Sequence, residues 1–307
     1  MKKIILNLLF VSLIFSTLSL NAQRLKVATY NIRYENPGDI SNGNGWKERC
    51  PVICNLVQFH DFDIFGAQEV LHGQLEDMLN GLPGYNYLGV GRDDGKEEGG
   101  YAPIFYKKDK FDLLQSGHFW LSTITDRPNK GWDAVLPRIC TWGKFHDKKN
   151  GFSFWFFNLH MDHIGVEARK QSARLVLKTI KEKCGNDPVI LTGDFNVDQH
   201  NESYALVNTS GILKDSYELT KIRYALNGTF NNFEPDLKTE SRIDHIFVTT
   251  NFKVLRYGVL TDSYRSKVKN GKKIKSVDFS KEVSLQQYQV RLPSDHYPVE
   301  IELDYSN

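Results

Sequence analysis

The sequence predicts an α/β (α+β) protein arranged as a four-layer α/β/β/α sandwich, in which two packed mixed β-sheets carry helices on their outer faces. Three observations lead there. About eleven apolar, strand-like runs recur along the 307 residues. Helix-like segments are few, enough for the outer faces of two packed sheets but sparse for a single doubly wound one. No Pro/Ser/Gly-rich linker and no repeat breaks the pattern, so one domain over residues 23–307 is expected.

The elements follow in order. Strands are expected at 25–32, 64–68, 85–90, 102–106, 113–120, 139–145, 152–160, 189–192, 243–249, 253–260 and 297–303, and helices at 46–59, 73–81, 166–184 and 202–208. The plainest strand is PVILTGDFN (188–196), an apolar run that ends in a carboxylate and a carboxamide. The helix at 166–184 has Gly165 before it and a partly apolar stripe through Ala168, Leu175 and Ile180. It stops at Cys184-Gly185-Asn186. NPGDISNGNG (36–45) and GRDDGKEEGG (91–100) read as turn-rich loops.

The N-terminus stands apart. Met1-Lys2-Lys3 is basic, 4–20 is apolar, and Ala22 is a small residue before Gln23. That pattern reads as a secretory signal peptide, residues 1–22, and implies export to the periplasm or the extracellular space. A membrane anchor is the alternative, but the stretch is short for a span and no positive cluster follows it. Removing Lys2 and Lys3 takes the 39 basic residues to 37, against 37 acidic ones. A formal charge of zero does not favour a protein that grips long nucleic acid, although nucleic acid is not excluded. Residues 265–281 carry a local basic run, read as a solvated loop or hairpin that could touch an anionic ligand. Four cysteines without metal-ligand spacing read as small buried hydrophobes, with one disulfide left open.

The chemistry lies where apolar runs meet loops. TYNIR holds Asn31, DIFGAQEV holds Glu69, and FWFFNLHMDH holds Asn158, His160, Asp162 and His163. GDFN holds Asp194 and Asn196, SRIDHIFV holds Asp244, and SDHYPV holds Asp295 and His296. In an extended chain, residues two apart leave the same face, which pairs Asp194 with Asn196 and His160 with Asp162. Each segment alone could be a cap or a surface group. Together they supply oxygen ligands for a hard cation, a base for water, and donors for charge developing at phosphorus.

In this order, TYNIR, QEV, NLHMDH, GDFNVD, RIDHIF and SDHYPV resemble the endonuclease/exonuclease/phosphatase superfamily over about residues 24–304. This is the deoxyribonuclease I-like fold, and FWLS, KGWDA and LPRICTWGKF resemble a secreted bacterial subgroup. The resemblance implies that Glu69, helped by Asn31 and Asp295, holds a divalent ion, Mg2+ with Mn2+ or Ca2+ as substitutes. It implies Asp194 as base or water-orienting group, Asn196 as a donor to phosphate, and His160 and His296 flanking phosphorus with Asp244 paired to a histidine, here His296. Arg138 is either a phosphate clamp or half of a surface salt bridge. Asn158 and Tyr101 are further substrate-side candidates, whereas His163 and His245 read as packing. Nuclease members carry a Glu at the position of Gly100, with Glu98 the nearest substitute.

The expected protein is therefore an exported metal-dependent hydrolase of phosphate esters, a phosphodiesterase or phosphatase, acting as a monomer. A secreted nuclease is the alternative enzyme, and a non-catalytic binding module on the same fold is the reading from another class.

Overall fold

Period-two alternation along the strands decides which side chains meet in the middle of this molecule. The computed structural model describes residues 23–274, 280 and 282–305, so the segment read as a signal peptide lies outside the described residues. Its elements are β1 (Gln23–Asn31), α1 (Pro37–Ser41), α2 (Trp46–His60), β2 (Ile64–Gln68), α3 (His72–Gly81), β3 (Tyr85–Leu88), β4 (Ile104–Lys107), β5 (Phe111–Trp120), β6 (Ile139–Asp147), β7 (Ser153–His160), α4 (Val166–Cys184) and β8 (Val189–Asp194). They continue with α5 (Glu202–Asn208), β9 (Lys214–Asp215), α6 (Ser216–Leu219), β10 (Arg223–Tyr224), β11 (Asp244–Val248), β12 (Lys253–Val259), β13 (Tyr264–Lys267), β14 (Lys273–Ile274), β15 (Leu285–Gln286), β16 (Tyr288–Arg291) and β17 (Val299–Tyr305).

Two sheets form. One has seven strands in the order β10-β12-β17-β1-β2-β4-β3, the other six in the order β5-β6-β7-β8-β11-β9. Both are mixed, because β1 runs parallel to β2 but antiparallel to β17, and β7 parallel to β8 but antiparallel to β6. Leu25, Val27 and Ile64 of the first sheet pack against Phe154, Phe156, Ile190 and Ile246 of the second, which forms the central core. The alternate residues face outward. Tyr30 and Phe65 meet Ile53 and Leu56 of α2 and Leu75 of α3, while Leu159 and Leu191 meet Val176 and Ile180 of α4 and Tyr204 of α5. The four-layer sandwich follows directly.

Differences from the sequence reading are local. Loop 36–45 contains a short helix, because the Asn36 side chain accepts from Gly38 N and Pro37 occupies the first turn, where its missing N–H costs nothing. The described part of the basic run forms two ribbons, β13 with β16 and β14 with β15. All four cysteines are free. Among the described residues no helix is long and apolar enough to cross a membrane.

Candidate active site

The inner face of the sandwich is apolar in its middle and polar at one end. On β1 the inward positions run Leu25, Val27, Thr29, Asn31. On β7 they run Phe154, Phe156, Asn158, His160, on β8 Ile190, Thr192, Asp194, and on β11 Val248, Ile246, Asp244. Register then brings the polar ends together, since Asp194 stands opposite His160 on one side and Asp244 on the other. Across the gap between the sheets, Asn31 Nδ2 donates to Asp194 Oδ2 at 3.0 Å.

Three of the strands that feed the site are followed by a residue in the left-handed region, Arg33 (φ 60), Glu69 (φ 61) and Asn196 (φ 52). A side chain there costs on the order of 1–2 kcal/mol, so the surroundings must hold it. Two of the three are held by the site itself. Asn31 Oδ1 accepts from Arg33 N at 3.0 Å and Asp194 Oδ1 from Asn196 N at 2.9 Å, the two-residue Asx turn that suits an acidic or amide side chain at a strand end.

Asp194 and two histidines form the centre. His160 Nε2 lies 3.5 Å and His296 Nε2 3.9 Å from Asp194 Oδ2, and His296 Nδ1 is 2.9 Å from Asp244 Oδ2. Phe230 packs edge-on against the His296 ring. Their protonation states diverge. Burial, then the Asp244 charge, push the Asp194 carboxyl up to about 7 despite His296 and the Asn31 amide. Burial works against a charge on His296, but the carboxylates of Asp244, Asp194 and Asp295 overcome it and hold the imidazole well above its ordinary value. Burial followed by Arg138 and Arg92 drives His160 well below it, so that ring stays neutral. The site thus holds a carboxyl titrating near neutrality, a charged imidazole and a neutral one.

An oxygen-only set lies beside this centre. Asn31 pairs with Gln68 in the β1–β2 ladder, Glu69 follows Gln68, and Ser294 Oγ donates to Asn31 O at 2.7 Å, which sets Asp295 against the same strand end. Burial raises the Asp295 carboxyl and the neighbouring Glu69 charge raises it further, as expected of two acids that share a place for a cation. Arg33 Nη1, 3.5 Å from Asp295 Oδ2, offsets part of that charge. Two carboxylates and a carboxamide fit a hard divalent ion. A second trio, Asp194, Asp244 and His296, has ligand atoms within 4.8 Å of one another. There, however, the His296 Nδ1–Asp244 hydrogen bond already occupies one ring nitrogen, so this trio fits an ion less well.

Two residues singled out in the sequence, Asn158 and Tyr101, have other work. Asn158 Nδ2 donates to Ala67 O and Pro103 O, and its Oδ1 accepts from Gln68 Nε2 and Thr192 Oγ1. All four of its hydrogen-bonding positions are used, so it is a strut between the sheets rather than a contact for substrate. Tyr101 is buried against α2 and α3, and its hydroxyl donates to Lys96 O at 2.9 Å, bracing loop 91–100. The Asn196 side chain spends one amide hydrogen on Met161 O and keeps the other. Arg138 is not half of a surface salt bridge. It is buried, with Nε 3.2 Å from Asp162 Oδ2 and Nη2 2.9 Å from His163 Nδ1. His245 is fully buried, with Nε2 2.9 Å from Val197 O.

Two functional residues were not visible in the motifs. Arg92 fills the space that Gly100 leaves open. Its Cζ lies 3.5 Å from where a Cβ at Gly100 would stand, and Glu69 Cα is 3.7 Å from that point. Its Nε is buried and has no hydrogen-bond partner, with the Asp93 carboxylate 3.8 Å away, while Glu98 is exposed. No local pattern marks Arg92, since only the loop fold brings it here. Arg49 could have been found. It falls on the buried stripe Trp46, Arg49, Ile53, Leu56 of α2, and donates to the carbonyls of Ile32, Arg33, Asn44 and Pro293. It ties the segment that carries Asn31 to the one that carries Asp295.

Residues 28–296 match the profile of the Endonuclease/Exonuclease/phosphatase family. The chain belongs to that family. Among solved structures, an endonuclease/exonuclease/phosphatase family protein from Bacteroides thetaiotaomicron is 55% identical, with a TM-score of 0.86 over 93% of this chain and 99% of that one. The Bacteroides thetaiotaomicron mannosyl-6-phosphatase is 56% identical, with a TM-score of 0.84 over 92% of this chain and 100% of that one. An uncharacterized protein of Acanthamoeba polyphaga mimivirus is 30% identical over 216 residues, 66% of this chain and 79% of that protein. Members of the endonuclease/exonuclease/phosphatase family are typically phosphoester hydrolases that use divalent metals, and the strand-end cluster described above sits inside the matched region.

Proposed function

We propose that this chain is a divalent-metal-dependent phosphomonoesterase acting on sugar phosphates, exported by residues 1–22 and catalytic from residue 23 onward. The observation that carries the reading is Asp194, held between Asn31, His160 and His296 with Asp244 behind. The 56% identity to a mannosyl-6-phosphatase supports the monoester and the sugar. The formal charge of zero on residues 23–307 weighs against a nuclease.

Asp194, titrating near neutrality, takes a proton from the attacking water. His296, kept charged by Asp244, points an N–H at the charge developing on phosphorus and gives its proton to the leaving oxygen. His160, kept neutral, offers one N–H to a non-bridging oxygen, and Asn196 offers its free amide hydrogen. Arg138 and Arg92 lie on the His160 side, where a dianionic phosphate gains most from two guanidinium groups. Asn31, Glu69 and Asp295 would hold Mg2+, with Mn2+ or Ca2+ as substitutes. When bound, the ion neutralises phosphate oxygens.

The test is hydrolysis of p-nitrophenyl phosphate, its bis ester, hexose phosphates and plasmid DNA, each with Mg2+ and with chelator. Chelator-sensitive hydrolysis that prefers monoesters is expected. Plasmid nicking without monoester hydrolysis would replace this reading with the nuclease. Glu69→Ala should raise the metal concentration needed, with partial recovery in Mn2+.

A further inference from the structure

A polar cavity of about 590 Å3 opens beside the metal-binding side of the site, between loop 36–45, the turn at 232–236 and β16. We propose that it is the subsite for the leaving group, and that it takes a neutral, polyhydroxylated ring such as a hexose. This rests on the phosphomonoesterase reading and adds where the alcohol half of the ester is held.

The cavity is tied to the reacting centre by short links. Asn231 N and Asn232 N both donate to Asp295 O, at 2.7 and 3.1 Å, so one wall hangs from a proposed metal ligand. The opposite wall is joined through Arg33, whose Nε lies 2.9 Å from Asp39 Oδ2 while its Nη1 faces Asp295. One guanidinium therefore spans the distance from cavity to site. Asn232 (φ 53) and Phe233 (φ 59) are consecutive left-handed residues, pinned by Phe233 N donating to Asn231 Oδ1 at 2.8 Å. The wall is built.

Its chemistry selects the ligand. Arg291 is the one basic lining residue, and it is committed. It donates to Asn42 O, to Asn44 Oδ1 at 3.0 Å and to Gln289 Oε1 at 2.9 Å. With their oxygens taken, the Asn44 and Gln289 side chains keep amide hydrogens as donors. Asp39, Glu234 and Asp236 supply acceptors. Hydroxyls, which both donate and accept, satisfy such a lining, and Phe233 gives a ring an apolar edge. Three carboxylates against two committed guanidinium groups, Arg291 and the Arg33 that pairs with Asp39, leave the cavity net negative, so a nucleic-acid backbone or a second phosphate is disfavoured on this side.

Among the described residues neither the Asp236 nor the Asn232 side chain has a hydrogen-bond partner, so both can be altered without removing a fold contact. Gly suits the left-handed position of residue 232. The experiment measures kcat/KM for a hexose 6-phosphate and for p-nitrophenyl phosphate in the protein and in the Asp236→Ala, Asn232→Gly double variant, each with Mg2+. The ratio between the two substrates should fall about tenfold, the scale of one or two lost hydrogen bonds, mainly through KM for the sugar ester. Equal losses on both substrates, or an unchanged ratio, would overturn the subsite. Wild-type protein that hydrolyses neither ester would overturn the hydrolase reading instead. The subsite is then decided by calorimetry, where the double variant must bind hexose 6-phosphate about tenfold more weakly or the proposal fails.

Discussion

The two ends of one inner face differ in what they do with the same strands. In the middle, Val27, Ile64, Phe156, Ile190 and Ile246 are buried and apolar, and nothing distinguishes one from another except shape. Two to four residues further along the same strands, Asn31, His160, Asp194 and Asp244 are buried almost as deeply and are polar. Burial stabilises the first set by removing apolar surface from water. It penalises the second set, and that penalty becomes chemistry: Asp194 is raised toward neutrality and His160 is kept neutral, while His296 stays charged because the carboxylates of Asp244, Asp194 and Asp295 outweigh its burial. The Asn158 layer separates the two, meeting every polar atom of its amide so that the polar end does not unravel the apolar one.

That contrast can be broken first at its apolar end. Phe156→Ala should cost about 3–5 kcal/mol of stability, measured by urea unfolding, while the folded fraction keeps most of its turnover. Loss of turnover without loss of stability would mean the two ends are not separate. At the polar end the effect should invert. His296→Ala should lower kcat by about 10² to 10³ with circular dichroism unchanged. Asp194→Asn should do likewise, and the double variant should lose less than the product because both act on one step. Strict multiplicativity, or an unfolded single variant, would assign these residues to structure.

The layer between should show a mixed outcome. Asn158→Ala takes one hydrogen bond from each of the Gln68 amide, Thr192 Oγ1, Ala67 O and Pro103 O, although Gln68 Nε2 keeps Thr29 Oγ1 and Pro103 O keeps Ala67 N. The cost should be about 1–3 kcal/mol, with a smaller fall in kcat than His296→Ala causes. A stability-neutral Asn158→Ala would show that the strut is dispensable. The smallest effect is a displacement of the pH profile. Asp194 carries its proton below about 7 and is a base only above it, so kcat should rise as pH passes through about 7 and fall at higher pH as His296 loses its proton. His296→Ala removes the cation that restrains Asp194, so the acidic limb of the residual activity should move upward. A limb near 4, where an unperturbed carboxyl titrates, would sink the assignment of Asp194.

By itself the sequence determined the layers and the strand ends. Alternation along LKVATYNI, FWFFNLH and VILTGD puts Asn31, His160 and Asp194 in step with the apolar residues four back, Val27, Phe156 and Ile190, and any fold that buries those partners must turn the polar residues inward too. Register between strands remote in the chain was decided only in the folded molecule, because loop and sheet geometry, rather than local pattern, chooses which ends meet. It took Asn158 and Tyr101 out of the substrate's reach by giving their polar atoms protein partners, and it brought Arg92 into the gap at Gly100 from a loop with no periodic signal. The cavity between Asp39 and Asp236 is also tertiary in origin. Its walls come from three segments that share no pattern, and they are joined through Asp295 and Arg33.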